Sequence, residues 1–389
     1  MKTIAVITST RAEYGLLYPV ISRFRALESD DFRCSLLVTG THLSGRFGNT
    51  VDEIERDGIR IDERIVCSTG SANETDIAKN MSDTIEKFTA CFSQNRYDAV
   101  MVLGDRYEIM AVVIAAMICR IPVFHIGGGD ISEGAIDDVI RHSITKMSYL
   151  HFPTNGESRQ RIIQLGEDPE RVFDVGSTSI DNILNENLMT KAEAMESVGL
   201  SDCDFIICTY HPETIEQTGM KEVKDLVTVL AGLPLEVIVT KSNSDLGGEE
   251  INRYLDEAGK LYDNIHVYAS LGRIRYLSLM KYAKCVVGNS SSGIVETPAM
   301  HIPTVNIGDR QRGRLRASSV FDCRADEKSI RDTIGFALSE KGQKIARECD
   351  NPYGDGHAAE RIVEKSISFL GKDIDLKKQF YSLPGDYKL

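Results

Sequence analysis

The residues best suited to chemistry begin with Gly288-Asn289-Ser290-Ser291-Ser292-Gly293, which follows the apolar stretch 285–287 and leads into an apolar-periodic segment carrying Glu296. Read as strand, small polar turn and helix, this pattern suits an anion. Glycines let the main chain approach a ligand closely, and the hydroxyls and free N–H groups of a first helical turn favour a phosphate. Glu296 could then accept hydrogen bonds from two ribose hydroxyls. A second apolar stretch, 304–307, ends in Gly308-Asp309-Arg310, so Arg310 would bring a charged fork to the same phosphates. A Ser/Gly turn alone is an ordinary surface feature, and its company with Glu296 and Arg310 is what favours a ligand.

Four further clusters sit where strands are expected to end. Arg11 and Glu13 follow the apolar run 4–7, and Asp105 and Arg106, with Glu108 close by, follow 99–104. The third runs from His125 through Gly127-Gly128-Gly129-Asp130 and Glu133 to Asp137, Asp138, Arg141 and His142. Three consecutive glycines need a backbone freedom that no core strand requires, so a loop shaped for a ligand is expected there. Asp137 and Asp138 open a helix, where caps are common, and one of the two is expected to be structural. The fourth cluster is Tyr210-His211-Pro212-Glu213, with His211 a candidate contact to a phosphate or leaving group and the alternative a structural histidine. No HExxH, GxSxG or Walker-type run occurs, and no Cys/His set has metal-ligand spacing, so neither a metal nor a cofactor is expected.

These clusters need elements to hold them. Apolar runs at 4–7, 32–39, 99–104, 122–126 and 150–153 alternate with amphipathic stretches from 11 to about 28, from 73 to 93, from 107 and from about 137. A second series has runs at 205–208, 236–240, 266–268, 285–287 and 304–307, and a helix is predicted from about 358 to 370. Strands alternating with helices imply parallel sheets covered on both faces, hence an α/β fold of two doubly wound, Rossmann-like domains. The predicted boundaries are 1–174 and 175–365, with 366–389 packing back on the first domain. Ligands of such sheets bind beyond the carboxyl ends of the strands, so a cleft shared by the two domains is expected.

At 389 residues the chain is long enough for two cores, and 42% hydrophobic with 26% charged residues is ordinary for a globular protein. A net charge of −13 argues against a nucleic-acid or anionic-membrane partner. No apolar run reaches the roughly 20 residues needed to span a bilayer, and the short apolar N-terminus meets Arg11 and Glu13 at once, so a cytoplasmic protein is expected. Nine cysteines without a CxxC pair read as reduced thiols.

The runs TSTRAEYG, VLGDRYEI, DDVIRHSITKM, HPET, GNSSSGIVE, NIGDRQRGR and NPYGDG cover nearly the whole chain. Together they resemble the hydrolysing UDP-N-acetylglucosamine 2-epimerases of sialic-acid and legionaminic-acid pathways. The resemblance implies a GT-B-like pair of domains, UDP held mainly by the second and the sugar facing the first, and assembly as a homodimer or homotetramer. It implies nucleotide contacts from Arg11, Arg106, His211, Asn243, Leu271, Ser290, Ser291, Glu296 and Arg310. It also implies acid/base work by Asp105 and Asp137, with His211 meeting the departing diphosphate.

One residue departs from the family pattern. Relatives often carry glutamate where this chain has Gly127, so Asp130, Glu133 or Asp138 could take over a share of the acid/base work. The glycine also leaves room for a larger sugar, such as a 2,4-diacetamido-6-deoxy donor, and UDP or GDP donors both stay open. The implied reaction is loss of UDP to a glycal followed by hydration to the free 2-epimer. Its rivals are a non-hydrolysing epimerase, a GT-B glycosyltransferase and a nucleotide-sugar-binding regulator without turnover.

Overall fold

The computed structural model describes residues 1–44, 50–69, 74–131, 136–185, 187–211, 220–242, 248–269, 271–372 and 374–383. The chain forms two compact units, Met1–Asn182 with Tyr353–Leu389, and Ile183–Pro352. Unit 1 runs β1 (Lys2–Thr8), α1 (Arg11–Ala26), β2 (Phe32–Val38), α2 (Val51–Arg56), β3 (Glu63–Arg64), α3 (Glu74–Gln94), β4 (Ala99–Leu103) and α4 (Tyr107–Ile118). It continues through β5 (Val123–Ile126), α5 (Ile136–Met147), β6 (Leu150–Phe152), α6 (Gly156–Gln164) and α7 (Thr178–Leu184). Unit 2 opens with α8 (Lys191–Glu196), β7 (Phe205–Thr209), α9 (Met220–Ala231), β8 (Glu236–Thr240), α10 (Gly248–Leu261), β9 (Ile265–Tyr268) and α11 (Gly272–Tyr282). Then come β10 (Val286–Gly288), α12 (Ser291–Val295), β11 (Thr304–Ile307), β12 (Val320–Cys323), α13 (Glu327–Leu338) and α14 (Glu340–Arg347), before α15 (Ala358–Leu370) returns to unit 1.

The sheets share one topology. Unit 1 has the order β3-β2-β1-β4-β5-β6 and unit 2 the order β12-β11-β10-β7-β8-β9, with parallel pairing throughout. Strand order therefore reverses between β1 and β4 in one sheet and between β7 and β10 in the other, and a crevice opens at such a switch point. Alternate strand residues feed opposite faces. Ile4 and Val6 join one core while Ala5 and Ile7 join another, and Ile206 and Cys208 are likewise divided from Phe205 and Ile207. Both faces are covered, which is why the strands read as unbroken apolar runs.

Helix α15 departs from the predicted 175–365 domain. Its Ala359, Ile362, Val363 and Leu370 pack into the unit 1 core beside Leu17, Ile21 and Phe24 of α1. Buried Asp181 caps its start by accepting from the main-chain N–H groups of Ala358 and Ala359 at 2.9 and 2.7 Å. The chain thus returns to the first unit at Tyr353, ahead of the predicted 366. Two strands, β3 and β12, were not anticipated from the sequence. Among the described residues, no helix is long and apolar enough to cross a membrane.

Candidate functional site

In unit 2 the switch point is built around Asn289, which is fully buried. Its Oδ1 accepts from the His211 N–H at 2.7 Å, and its Nδ2 donates to the His211 carbonyl at 2.8 Å. One amide therefore satisfies both polar groups of the residue that follows β7 and Tyr210, and locks that backbone against β10. The Asn289 carbonyl accepts from Arg310 Nη1 at 3.1 Å and from Gln311 Nε2 at 2.9 Å. His211 and Arg310 are thus brought to one residue from opposite sides. Gly288, with φ +135°, permits the approach, since a Cβ there would lie 1.9 Å from the Thr209 carbonyl oxygen.

Ser290 caps α12 through Ser292 N–H, and Ser291 is exposed in the first turn. The helix has only five residues, too short for a developed macrodipole. An anion held here would rest on hydroxyls, main-chain N–H groups, Arg310 and His211 rather than on a helix dipole. Glu296 ends the helix and accepts from Ser292 Oγ at 2.7 Å; burial pushes its carboxyl up, against that hydrogen bond. Leu271 is buried at the start of α11, where its carbonyl accepts from Arg275 Nε at 2.8 Å.

In unit 1 the corresponding point gathers charge of both signs. Arg141, on α5 and 7% exposed, donates from Nη2 to Asp105 and from Nη1 to the Asp130 carbonyl at 2.8 Å, and stands 3.5 Å from Asp138 Oδ1. Asp137, one helical turn before Arg141, has its carboxyl raised first by lost solvation and then by the charge of Asp105, while Arg141 and Arg106 oppose the rise. Two carboxyl groups therefore share one neighbourhood, with a guanidinium fixed on one of them. Behind them His125, buried and pushed down to about 3 by desolvation, lies 2.8 Å from the Gly104 carbonyl and 3.4 Å from Thr145 Oγ1 of α5. The residue preceding Asp105 is thus tied to the helix that carries Asp137.

Arg106 makes a forked pair with buried Glu108 at 3.1 and 3.2 Å. Glu13 is buried and accepts from Ser9 N–H at 2.8 Å; desolvation takes its carboxyl up to about 7 against the pull of Ser9 and Arg106. Arg11 points outward, paired with Glu53 at 2.9 Å. Of the three possible substitutes, Asp130 accepts from Ser158 Oγ at 2.5 Å, and Asp138 stands by Arg141 and His142, 3.5 Å from each. Glu133 lies outside the described residues, as does Asn243. Gly127 has φ +81° and nothing within 4 Å of where a Cβ would stand, so the space is open but an L side chain would strain the backbone. Asn289 and Gln311 stand inside the motifs GNSSSGIVE and NIGDRQRGR, but the sequence assigns neither of them a role.

The chain matches the family described as UDP-N-acetylglucosamine 2-epimerase over residues 25–366. It is 37% identical over 390 residues to polysialic acid biosynthesis protein P7 of Escherichia coli, covering 99% of this chain and 98% of that one. It is 38% identical over 331 residues to the GDP/UDP-N,N'-diacetylbacillosamine 2-epimerase (hydrolyzing) of Campylobacter jejuni, covering 82% and 84%. In fold it is similar to the UDP-GlcNAc 2-epimerase of Neisseria meningitidis solved with bound UDP-GlcNAc, with TM-score 0.76 at 19% identity over 95% of this chain and 100% of that one.

Proposed function

The chain belongs to the UDP-N-acetylglucosamine 2-epimerase family, and from that premise we propose that it is a hydrolysing 2-epimerase. It converts UDP-N-acetylglucosamine, or a UDP-2,4-diacetamido-6-deoxy relative, into the free 2-epimeric sugar and UDP for nonulosonic-acid biosynthesis. The observation that carries this reading is the Asp105–Asp137 neighbourhood with Arg141 fixed on Asp105. The C2 proton of the sugar is not next to a carbonyl, so C1–O cleavage leads and builds positive charge at C1 before the proton leaves. Unit 2 holds the nucleotide: Ser290, Ser291, Arg310 and His211 take the diphosphate as it departs, Glu296 the ribose and Leu271 the base end, with Arg11, Arg106 and Asn243 completing the nucleotide contacts. Asp105 and Asp137 divide removal of the C2 proton and protonation during hydration.

The open space at Gly127 favours the diacetamido donor, because glycine leaves room for a 4-acetamido group. The same reading makes the chain a cytoplasmic homodimer or homotetramer. Nine free thiols suit a reducing compartment, and the exposed Ile136 and Val139 give α5 an apolar face for a second copy.

The test is incubation with UDP-N-acetylglucosamine and with the UDP- and GDP-linked diacetamido donors in deuterated water, followed by NMR. The expected product is a free sugar with one deuterium at C2, formed faster from the diacetamido donor. In ¹⁸O-water the released UDP should stay unlabelled. A sugar nucleotide returned as its 2-epimer, or a product still protiated at C2, would refute hydrolysis through a glycal.

A further inference from the structure

The C-terminal segment 374–383 has no helix or strand of its own, yet it is pinned to unit 1. Tyr381 N–H donates to the Gly166 carbonyl at 2.9 Å, and its side chain packs on Ile162, Ile163 and Val172. The Phe380 ring covers Gly166 so closely that a Cβ there would come within 2.4 Å of it. Between these contacts and the end of α15, Lys378 turns inward, 20% exposed, onto fully buried Glu167 at 2.6 Å. Its Nζ also donates to the Ser148 carbonyl at 2.5 Å and to the Lys146 carbonyl at 3.0 Å. An ammonium has three N–H bonds, and these three acceptors use them all.

Two of the acceptors lie at the carboxyl end of α5. The last carbonyls of a helix have no partner within it, and a cation there also meets the negative end of the helix dipole. Ser148 covers part of the need, its hydroxyl donating to the Ile144 carbonyl at 2.8 Å and its N–H to that of Thr145 at 3.1 Å. The rest comes from a lysine some 230 residues later in the chain. The opposite end of the same helix carries Asp137, its middle carries Arg141, which holds Asp105, and its last turn carries Thr145, which meets His125. Along 12 residues, about 18 Å, one rigid element joins the strap to the carboxyl pair.

We propose that Lys378 is a positioning residue for the reaction: by closing the carboxyl end of α5 it sets where Asp137 stands and how Arg141 meets Asp105. This rests on the function proposed above. Lys146 is the internal comparison, because it binds the same carboxylate, 2.7 Å from Glu167 Oε1, and the Leu165 carbonyl, but its ammonium touches no carbonyl of α5.

The test compares Lys378→Met, Lys378→Arg, Lys146→Met and a chain ending at residue 373, using turnover, UDP calorimetry and hydrogen exchange. Lys378→Met should lower kcat about tenfold, because small misplacements of reacting groups are costly, with KM within about twofold. UDP should still bind one per chain, which separates misplacement from a smaller folded fraction. Exchange across 136–147 should quicken. Lys378→Arg should recover to within about threefold, as a guanidinium can donate to the same carbonyls. Lys146→Met should keep kcat within about twofold, and the shortened chain should behave as Lys378→Met, so that either can carry the test if the other fails to fold. Unchanged exchange at 136–147, unchanged kcat in Lys378→Met, or an equal fall in Lys146→Met would overturn the proposal. Exchange is read without substrate, so a failure of the functional assignment, seen as no turnover of any donor by the unmodified protein, stays separate.

Discussion

Replacing Asn289 by alanine tests the architecture of the unit 2 switch point without touching a proposed ligand contact directly. The substitution removes the two hydrogen bonds, at 2.7 and 2.8 Å, that the N–H and carbonyl of half-buried His211 make to the Asn289 side chain. A hydrogen bond contributes about 1 kcal/mol net, and a buried unsatisfied partner costs about 1–3 kcal/mol. Since His211 can recover some solvent, a stability loss of about 2–3 kcal/mol is expected for unit 2 in denaturant titrations. The main-chain carbonyl that receives Arg310 survives the change, so UDP affinity should fall by only about tenfold, or about 1.4 kcal/mol, through the freed His211. Asn289→Asp should fare no better than alanine, because it keeps the acceptor for the His211 N–H but turns an acceptor toward the His211 carbonyl. Calorimetry showing UDP affinity within twofold of the unmodified protein would mean that His211 needs no clamp or meets no phosphate.

Three other outcomes are expected. Arg310→Ala should weaken UDP by about 2–4 kcal/mol through loss of a charge-assisted contact, and unchanged affinity by calorimetry would remove Arg310 from the diphosphate. Asp105→Asn and Asp137→Asn should each cut turnover by about 100-fold or more with UDP still bound; a variant near normal turnover would show that residue to be structural and bring Asp130, Glu133 or Asp138 forward. Burial depresses His42 to about 4 and His125 to about 3, both below the unfolded value near 6.5, so the stability they contribute is present above that value and lost as pH falls. Between pH 7.5 and 5 the loss should be about 2 kcal/mol for each histidine, set against a gain of similar size from Glu13, whose raised carboxyl takes up a proton over the same range; a His42→Gln variant whose denaturant midpoints change with pH as much as those of the unmodified protein would contradict the burial of His42 as a neutral ring.

The sequence was most legible where one residue type had one job. Strands β8 and β11 were anticipated to the residue, and α15 began and ended as expected, because apolar runs and amphipathic periods report burial directly. Strands β3 and β12 carry no such signal: Glu63 and Arg64 are exposed, and Val320–Cys323 is a half-covered edge strand with Asp322 in it. The amphipathic pattern of α15 said that one face is buried, but not in which unit, since that depends on Asp181 some 180 residues earlier. The same limit hid what the site's organisers do, although Asn289 and Arg141 stand in motifs that the sequence singles out. Asn289, Arg141 and Lys378 act on partners far away in sequence, and no local spacing announces a hydrogen bond that only the tertiary fold creates.

The distribution of charge over the two units bears on the proposed chemistry. A carboxylate about 8 Å from a phosphate oxygen costs about 2 kcal/mol at an effective dielectric of 20, so placing both proposed acid/base carboxylates beside the turn proposed to hold the diphosphate would weaken nucleotide binding. Asp105 and Asp137 instead arise from β4 and α5 of unit 1, while Ser290, Ser291, His211 and Arg310 belong to the unit 2 switch point. Glu296, at the end of α12, has its carboxyl raised by burial, which lessens the charge it would set against a diphosphate. It follows that substitutions in the unit 1 pair should act on turnover and those in the unit 2 turn on affinity. A variant such as Asp137→Asn that tightened or loosened UDP as strongly as it slowed the reaction would show that this division does not hold.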